Sequence, residues 1–149
     1  PRVALFVRKD NPWKYENIQS LSSVRLGVIT GYSYWDSLDD FLKSSRAGKA
    51  VFFGGETPLD DGIAQLKSGK IDVMAETLAV FIWTVRSSGG SPTDYRVAYL
   101  QAGEPIYMAF SKTDAGMKYA KIFDGGLVRL RKSGELAAVL KKYGLSDWE

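Results

Sequence analysis

Apolar and polar positions along the chain fall into short α/β-type elements. Val3-Ala-Leu-Phe-Val7 is an unbroken apolar run bounded by Arg8-Lys-Asp-Asn-Pro12, which predicts a buried strand followed by a turn. Residues 9–24 read as loop, with Trp13 and Tyr15 able to pack back on the body. Arg25–Thr30 predicts a second strand, broken by Gly31. Tyr34, Leu38, Phe41 and Leu42 then share one helical face within residues 34–44, and Ser33 with Asp36 resembles a capping box. Ala50–Phe53 predicts a strand that Gly54-Gly55 turns. Thr57-Pro58 starts a helix with Thr as cap and Pro in the first turn. Leu59, Ile63 and Leu66 line its face, and Gly69 closes it.

Ile71–Ala75 predicts another buried strand. Leu78, Phe81, Ile82 and Val85 follow with helical spacing, so a helix starts near Thr77. Strands are expected at Arg96–Leu100 and Ile106–Ser111, after a loop at 87–93. Near the C-terminus, Met117, Ala120, Phe123, Leu127 and Leu130 form one helical stripe, interrupted by Gly125-Gly126. Leu136, Val139, Leu140 and Tyr143 form a second after Ser133-Gly134. Strands alternating with helices predict an α/β sheet with crossover helices. Two closing helices with no following strand suggest a layer that packs on something else.

Composition removes several chemistries. The 149 residues contain no His and no Cys, which excludes Ser-His-Asp and Cys-His catalysis, Cys/His zinc sites, disulfides and thiol redox chemistry. Carboxylate-based metal or acid–base chemistry is still allowed by composition, though no metal site or cofactor is expected. The net charge is +3, and the excess is local: residues 1–111 hold 12 basic and 12 acidic side chains, residues 112–149 hold 8 and 5. So small a surplus reads as a solvated helix face, and no nucleic-acid partner is expected. No run reaches the ~18 apolar residues of a membrane span. The chain opens at Pro1 already in strand-like sequence, which reads as a processed or cut chain.

Neither G-x-G-x-x-G nor G-x-x-x-x-G-K-[ST] occurs; Gly48-Lys49 and Gly69-Lys70 lack the following hydroxyl residue. Asp39-Asp40 and Asp60-Asp61 read as helix-surface and first-turn charge, because adjacent helical residues point apart. The segment Gly31, Tyr32, Ser33, Tyr34 carries more information. It lies between a strand end and a helix start, where backbone N–H groups of residues 32–34 can receive an anion such as a carboxylate. The other reading is an ordinary strand-to-helix turn with a capping Ser. Glu76 and Thr77 close the next strand on the same rim. Glu76 there can meet a ligand amine, or Thr77 simply caps the next helix with Glu76 exposed beside it. An enzyme using Asp72 and Glu76 is disfavoured: four strand residues separate them by about 13 Å, too far for either glycosidase geometry.

Several stretches, in order, resemble the periplasmic solute-binding proteins of ABC transporters, type 2 fold, amino-acid-binding family 3. Val3-Ala-Leu-Phe-Val-Arg-Lys-Asp10 resembles the first hinge-crossing strand. Leu21-Ser-Ser-Val-Arg-Leu-Gly-Val-Ile-Thr-Gly31 resembles the family's L-x-G-K-x-V-G-V-x-x-G stretch, and Ala64-Gln-Leu-Lys-Ser-Gly-Lys-Ile-Asp-Val73 its A-L-x-x-G-R-x-D-A stretch. Glu104–Lys112 resembles the return crossing, and Leu130–Gly144 the C-terminal helix pair.

The resemblance implies an α/β chain of periplasmic-binding-protein type 2 form. Residues 8–105 would be a Rossmann-like ligand-binding lobe 2. Residues 1–7 and 106–149 would be hinge strands and C-terminal helices of an incomplete lobe 1. Family members carry a long segment before the first crossing that builds most of lobe 1 and supplies an arginine for the ligand carboxylate; nothing here matches it. The family's Asp for the ligand amine falls at Thr77, which puts an α-amino-acid ligand in doubt.

The implied role is an extracytoplasmic, periplasmic binding module, not an enzyme, that captures a small polar solute or an amino acid for the membrane subunits of an ABC transporter. Its lobe-2 contacts would be Gly31, Tyr32, Ser33, Tyr34, Glu76 and Thr77. Tyr107 on the return strand would either line the cleft floor or pack in its strand. The alternative is a ligand-sensing input domain of a sensor kinase or a regulatory domain of a transglycosylase; Trp148-Glu149 reads as a natural end and weighs against it. With most of lobe 1 absent, the stripe Phe123, Leu127, Leu130, Leu136, Val139 and Leu140 would lack its cover; if residues 1–149 are the whole chain, self-association is expected, the alternative being that the two helices fold back onto lobe 2.

Overall fold

Five strands, β1 (Val3–Arg8), β2 (Leu26–Ile29), β3 (Val51–Phe53), β4 (Val73–Thr77) and β5 (Tyr95–Leu100), form one sheet in the order β3-β2-β4-β1-β5. This is the arrangement in the computed structural model, which describes residues 2–103 and 107–147. Parallel strands need crossovers, and three helices supply them. These are α1 (Asp36–Lys43), α2 (Pro58–Lys67) and α3 (Leu78–Ser87), one after each of β2, β3 and β4. β2 runs parallel to β3 and β4. β1 is antiparallel to both its neighbours, β4 and β5, so the sheet is mixed.

β1 is apolar throughout because both faces of the sheet are covered. Side chains alternate across a strand. Ala4 and Phe6 accordingly enter one core, with Ile29, Phe53, Ile63, Leu66, Met74 and Phe81. Leu5 and Val7 enter the other, with Leu26, Val28, Leu38, Phe41, Val73 and Ala75. Phe6 stacks on Phe81 with ring centroids 3.7 Å apart. On the second face, Trp13, Tyr15, Trp35 and Tyr99 close the edge, as the loop reading expected of Trp13 and Tyr15. Arg96 holds that loop by donating to the carbonyls of Asn11 (2.6 Å) and Trp13. Gly27 has a packing reason: a Cβ there would stand 2.5 Å from Ile71 Cδ1 and 2.9 Å from Phe53 Cε2.

Helix boundaries follow local chemistry. α2 opens at Pro58 behind Thr57 and ends ahead of Gly69, whose φ of +74° suits only glycine well. α1 starts at Asp36 with Trp35, not Ser33, in the cap position. The expected Ser33–Asp36 box is absent because Asp39 takes the partner role, as described below.

The structure divides into two compact units, Pro1–Glu104 and Pro105–Glu149. Residues 3–7, which the sequence reading set apart with lobe 1, lie between β4 and β5 inside the sheet of the first unit. Their pairing on both sides explains this: Ala4 faces Glu76 on β4 and Leu100 on β5.

The second unit contains α4 (Asp114–Ser133) and α5 (Glu135–Lys142). Thr113 caps α4, its side chain accepting from Gly116 N–H at 3.1 Å. Gly125-Gly126 does not interrupt α4, and Gly134, at φ +79°, makes the turn into α5. Phe123, Leu130 and Val139 are exposed, while Leu127, Leu136 and Leu140 are half-buried. The strand expected at 106–111 is not formed over Tyr107–Ser111. A strand needs a ladder partner, and the described elements of this unit are both helices. Ile106, the Glu104-Pro105 part of the expected return crossing, and Trp148-Glu149 lie outside the described residues.

Candidate functional site

The parallel strands β2 and β4 bring two of the expected segments to one rim. β2 and β4 pair as Leu26–Val73 and Gly27–Met74; the same offset of 47 carried forward sets Ile29 level with Glu76. The turn Gly31–Tyr34 leaves the end of β2, and Glu76-Thr77 ends β4. Gly31 sits at φ +80°, which lets the chain turn off the strand without strain. Gly31, Tyr32 and Ser33 are exposed and Tyr34 is half-buried. Tyr107 belongs to the second unit, with 87% of its surface exposed and no strand around it.

The turn does not present three free donors. Tyr32 N–H donates to the Ile29 carbonyl at 3.3 Å. Tyr34 N–H donates to Asp39 Oδ1 at 3.0 Å, and the Ser33 hydroxyl donates to Asp39 Oδ2 at 2.6 Å. Asp39 thus reaches back from α1 and fills the place expected for an external anion. Its carboxylate complements the positive end of α1, which explains why it settles there. The sequence reading took Asp39 for surface charge. The Ser33-to-Asp39 spacing was the available signal, but it does not match the S-x-x-E box on which such readings depend.

Tyr34 contributes a second feature. Thr30 N–H donates to Phe53 on β3, so in alternation Ile29 N–H faces β4. It donates instead to the Tyr34 hydroxyl oxygen at 2.7 Å. The phenol therefore stands where the β2–β4 ladder would continue. Burial raises the Tyr34 pKa well above its ordinary value; the Ile29 N–H works against that rise, and the charges of Glu76 and Asp39 add to it.

Glu76 is not exposed beside the helix start; only 2% of its surface is accessible. Its Oε1 accepts Thr77 N–H at 2.6 Å. Burial raises its pKa, and the bonds from Thr77 oppose the rise. No described cation forms an ion pair with it. Thr77 occupies the cap position of α3 without a side-chain cap bond. Asp72, by contrast, lies at the opposite end of β4 and is committed to structure. Arg25 grips it through Nε (2.9 Å) and Nη2 (2.6 Å) and also bonds the Gly69 carbonyl at 2.8 Å. Among the described residues no group of three acidic side chains is placed to hold a metal ion.

No family model and no curated protein matches this chain. Solved structures do. An ancestral arginine-binding protein bound to arginine aligns over 95% of this chain at 20% identity with a TM-score of 0.64. Substrate-binding domain 2 of GlnP from Lactococcus lactis, in its open conformation, aligns over 95% at 17% identity and TM-score 0.64. The second substrate-binding domain of an amino acid ABC transporter from Streptococcus pneumoniae aligns over 95% at 19% identity and TM-score 0.60. The chain has the fold of a solute-binding domain. It spans 59%, 57% and 60% of those three structures. The mixed α/β sheet and its crossover helices fit the type 2 form read from the sequence. No described helix is long and apolar enough to cross a membrane.

Proposed function

We propose that this chain is part of an extracytoplasmic solute-binding protein that captures a small polar solute for an ABC transporter. The observation that carries the reading is the fold shared over 95% of the chain with substrate-binding domains. The rim geometry supports it: in open α/β sheets ligands bind outside the carboxyl ends of the strands. Here that end carries the exposed Gly31–Ser33 turn, Tyr34, Asp39 and Thr77, with Glu76 beneath. The solute meets this turn, and hinge closure of a second lobe over it completes capture. The first unit, Pro1–Glu104, acts as the solute-binding lobe, and the protein works in the periplasm. It has no catalytic step, since the carboxylates Asp72 and Glu76 sit at opposite ends of β4 and Asp72 is held by Arg25.

A thermal-shift screen of the protein against amino acids, amines, sugars and small organic acids tests the reading. A saturable rise in Tm with one class is expected, because a ligand that binds only the folded state stabilises it by mass action. No shift with any class at millimolar concentration overturns it.

A further inference from the structure

We propose that the solute taken at this rim is an organic cation, an amine or guanidinium, that directs no carboxylate at this lobe. The inference rests on the solute-binding reading above and names its ligand class.

The turn that would hold a carboxylate already holds one. Asp39 occupies the Tyr34 N–H and the Ser33 hydroxyl, and the Ile29 carbonyl occupies the Tyr32 N–H. Only the Ser33 N–H is left among these donors. An incoming carboxylate would have to displace Asp39 and then lie beside it, a like-charge contact that works against binding. The half-buried Asp39 is itself placed to meet a cation.

Glu76 points to the same sign of charge by a separate route. A carboxylate that is 98% buried normally has a cationic partner. Among the described residues Glu76 has only the bonds of its own neighbour Thr77 and no ion pair. Arg2 runs along this end of the sheet, its carbonyl accepting Leu78 N–H at 2.8 Å. The Arg2 side chain is exposed and makes no ion pair with a described residue. Glu76 lies too deep for direct contact, but its charge acts through a low-dielectric layer, where it is weakly screened. The charges of both Glu76 and Asp39 raise the pKa of the Tyr34 phenol. A cation at the rim relieves both charges.

Aromatic faces complete the site. Tyr32 is 58% exposed, and its ring centroid lies 6.4 Å from that of Tyr34 at an interplanar angle of 48°. Such rings attract ammonium and guanidinium groups through their negative faces.

Arginine and agmatine decide the matter, since they share a guanidinium and differ by the carboxylate. Calorimetric titrations of the protein should show agmatine or putrescine binding about tenfold or more tighter than arginine, and no binding of glutamate. Asp39→Asn should weaken agmatine by about tenfold or more. Asp39→Ala, which frees the Ser33 and Tyr34 donors, should shift the preference toward arginine. Arginine or glutamate bound as tightly as agmatine by the unaltered protein overturns the inference and leaves the solute-binding reading standing. Absence of binding by every compound of the wider screen overturns both.

Discussion

The hydroxyl oxygen of Tyr34 accepts the backbone N–H of Ile29 at 2.7 Å, so a side chain from the turn replaces β4 as the partner of β2 at the rim. The pairing of β2 with β4 is registered only at Leu26 and Gly27. Beyond it, the phenol satisfies a buried donor that would otherwise lose its partner. One residue thereby ends the ladder, fixes the turn and brings an aromatic face to the solute rim.

Tyr34→Phe should destabilise the protein by about 1–3 kcal/mol, because Ile29 is 5% exposed and its N–H would be left unpaired. Tyr32→Phe, on an exposed ring, should stay within about 0.5 kcal/mol. Urea unfolding of the two variants checks this. Equal, small effects would mean that Ile29 N–H finds β4 again once the phenol oxygen is gone.

Gly27→Ala tests the close approach of β2 to the α2 side of the core. The new methyl would sit 2.5 Å from Ile71 Cδ1, 2.8 Å from Met74 Sδ and 2.9 Å from Phe53 Cε2. Three simultaneous overlaps in a packed core should cost about 1–3 kcal/mol. Adding Met74→Ala should recover part of that loss, so the double variant should be more stable than the sum of the two singles predicts. Strict additivity in denaturant unfolding would contradict the packing account.

The sheet was largely legible in the sequence because its strands are short apolar runs between turn residues, and its crossover helices carry clear apolar faces such as Leu59, Ile63 and Leu66. Four things were not legible. The antiparallel entry of β1 between β4 and β5 depends on pairing, which an all-apolar run such as Val3–Val7 does not specify. The state of the Gly31–Tyr34 turn depends on Asp39 reaching back to Ser33 and Tyr34, a contact set by the start of α1 at Asp36. The rim position of Glu76 was read correctly; its burial was not, because the end of a strand does not reveal what packs over it. The strand expected at 106–111 was read from its apolar run and from the resemblance of Glu104–Lys112 to the return crossing, and Tyr107–Ser111 forms no ladder.

Asp72 should govern part of the acid sensitivity. Hydrogen bonds from Arg25 lower its pKa, with burial opposing and the charges of Arg25 and Arg8 assisting. A carboxyl with a depressed folded pKa adds stability above its ordinary value of about 4, and that stability is lost as pH falls through the folded value. Asp72→Asn should therefore lower Tm at pH 7 and narrow its difference from the parent below about pH 4. Parallel Tm curves from pH 3 to 7 would show that the Arg25 contact carries no net weight.

Glu76 should behave in the opposite sense. Burial raises its pKa, and the Thr77 bonds only partly offset this. A carboxyl with a raised folded pKa binds its proton more tightly when folded. Its unfavourable charge is therefore absent below about pH 4 and fully present once pH passes the raised folded value. Glu76→Gln keeps the size of the side chain and an oxygen for Thr77 N–H while removing the charge. The variant should gain Tm over the parent at neutral pH, and the gain should shrink as pH falls toward 4. The same substitution removes one of the two charges that favour a cation at the rim, so agmatine affinity should fall as stability rises. Stability and binding moving in opposite directions is the signature of a residue kept for function at a cost to the fold. A Glu76→Gln protein that is less stable at pH 7 would instead assign Glu76 a structural role through Thr77.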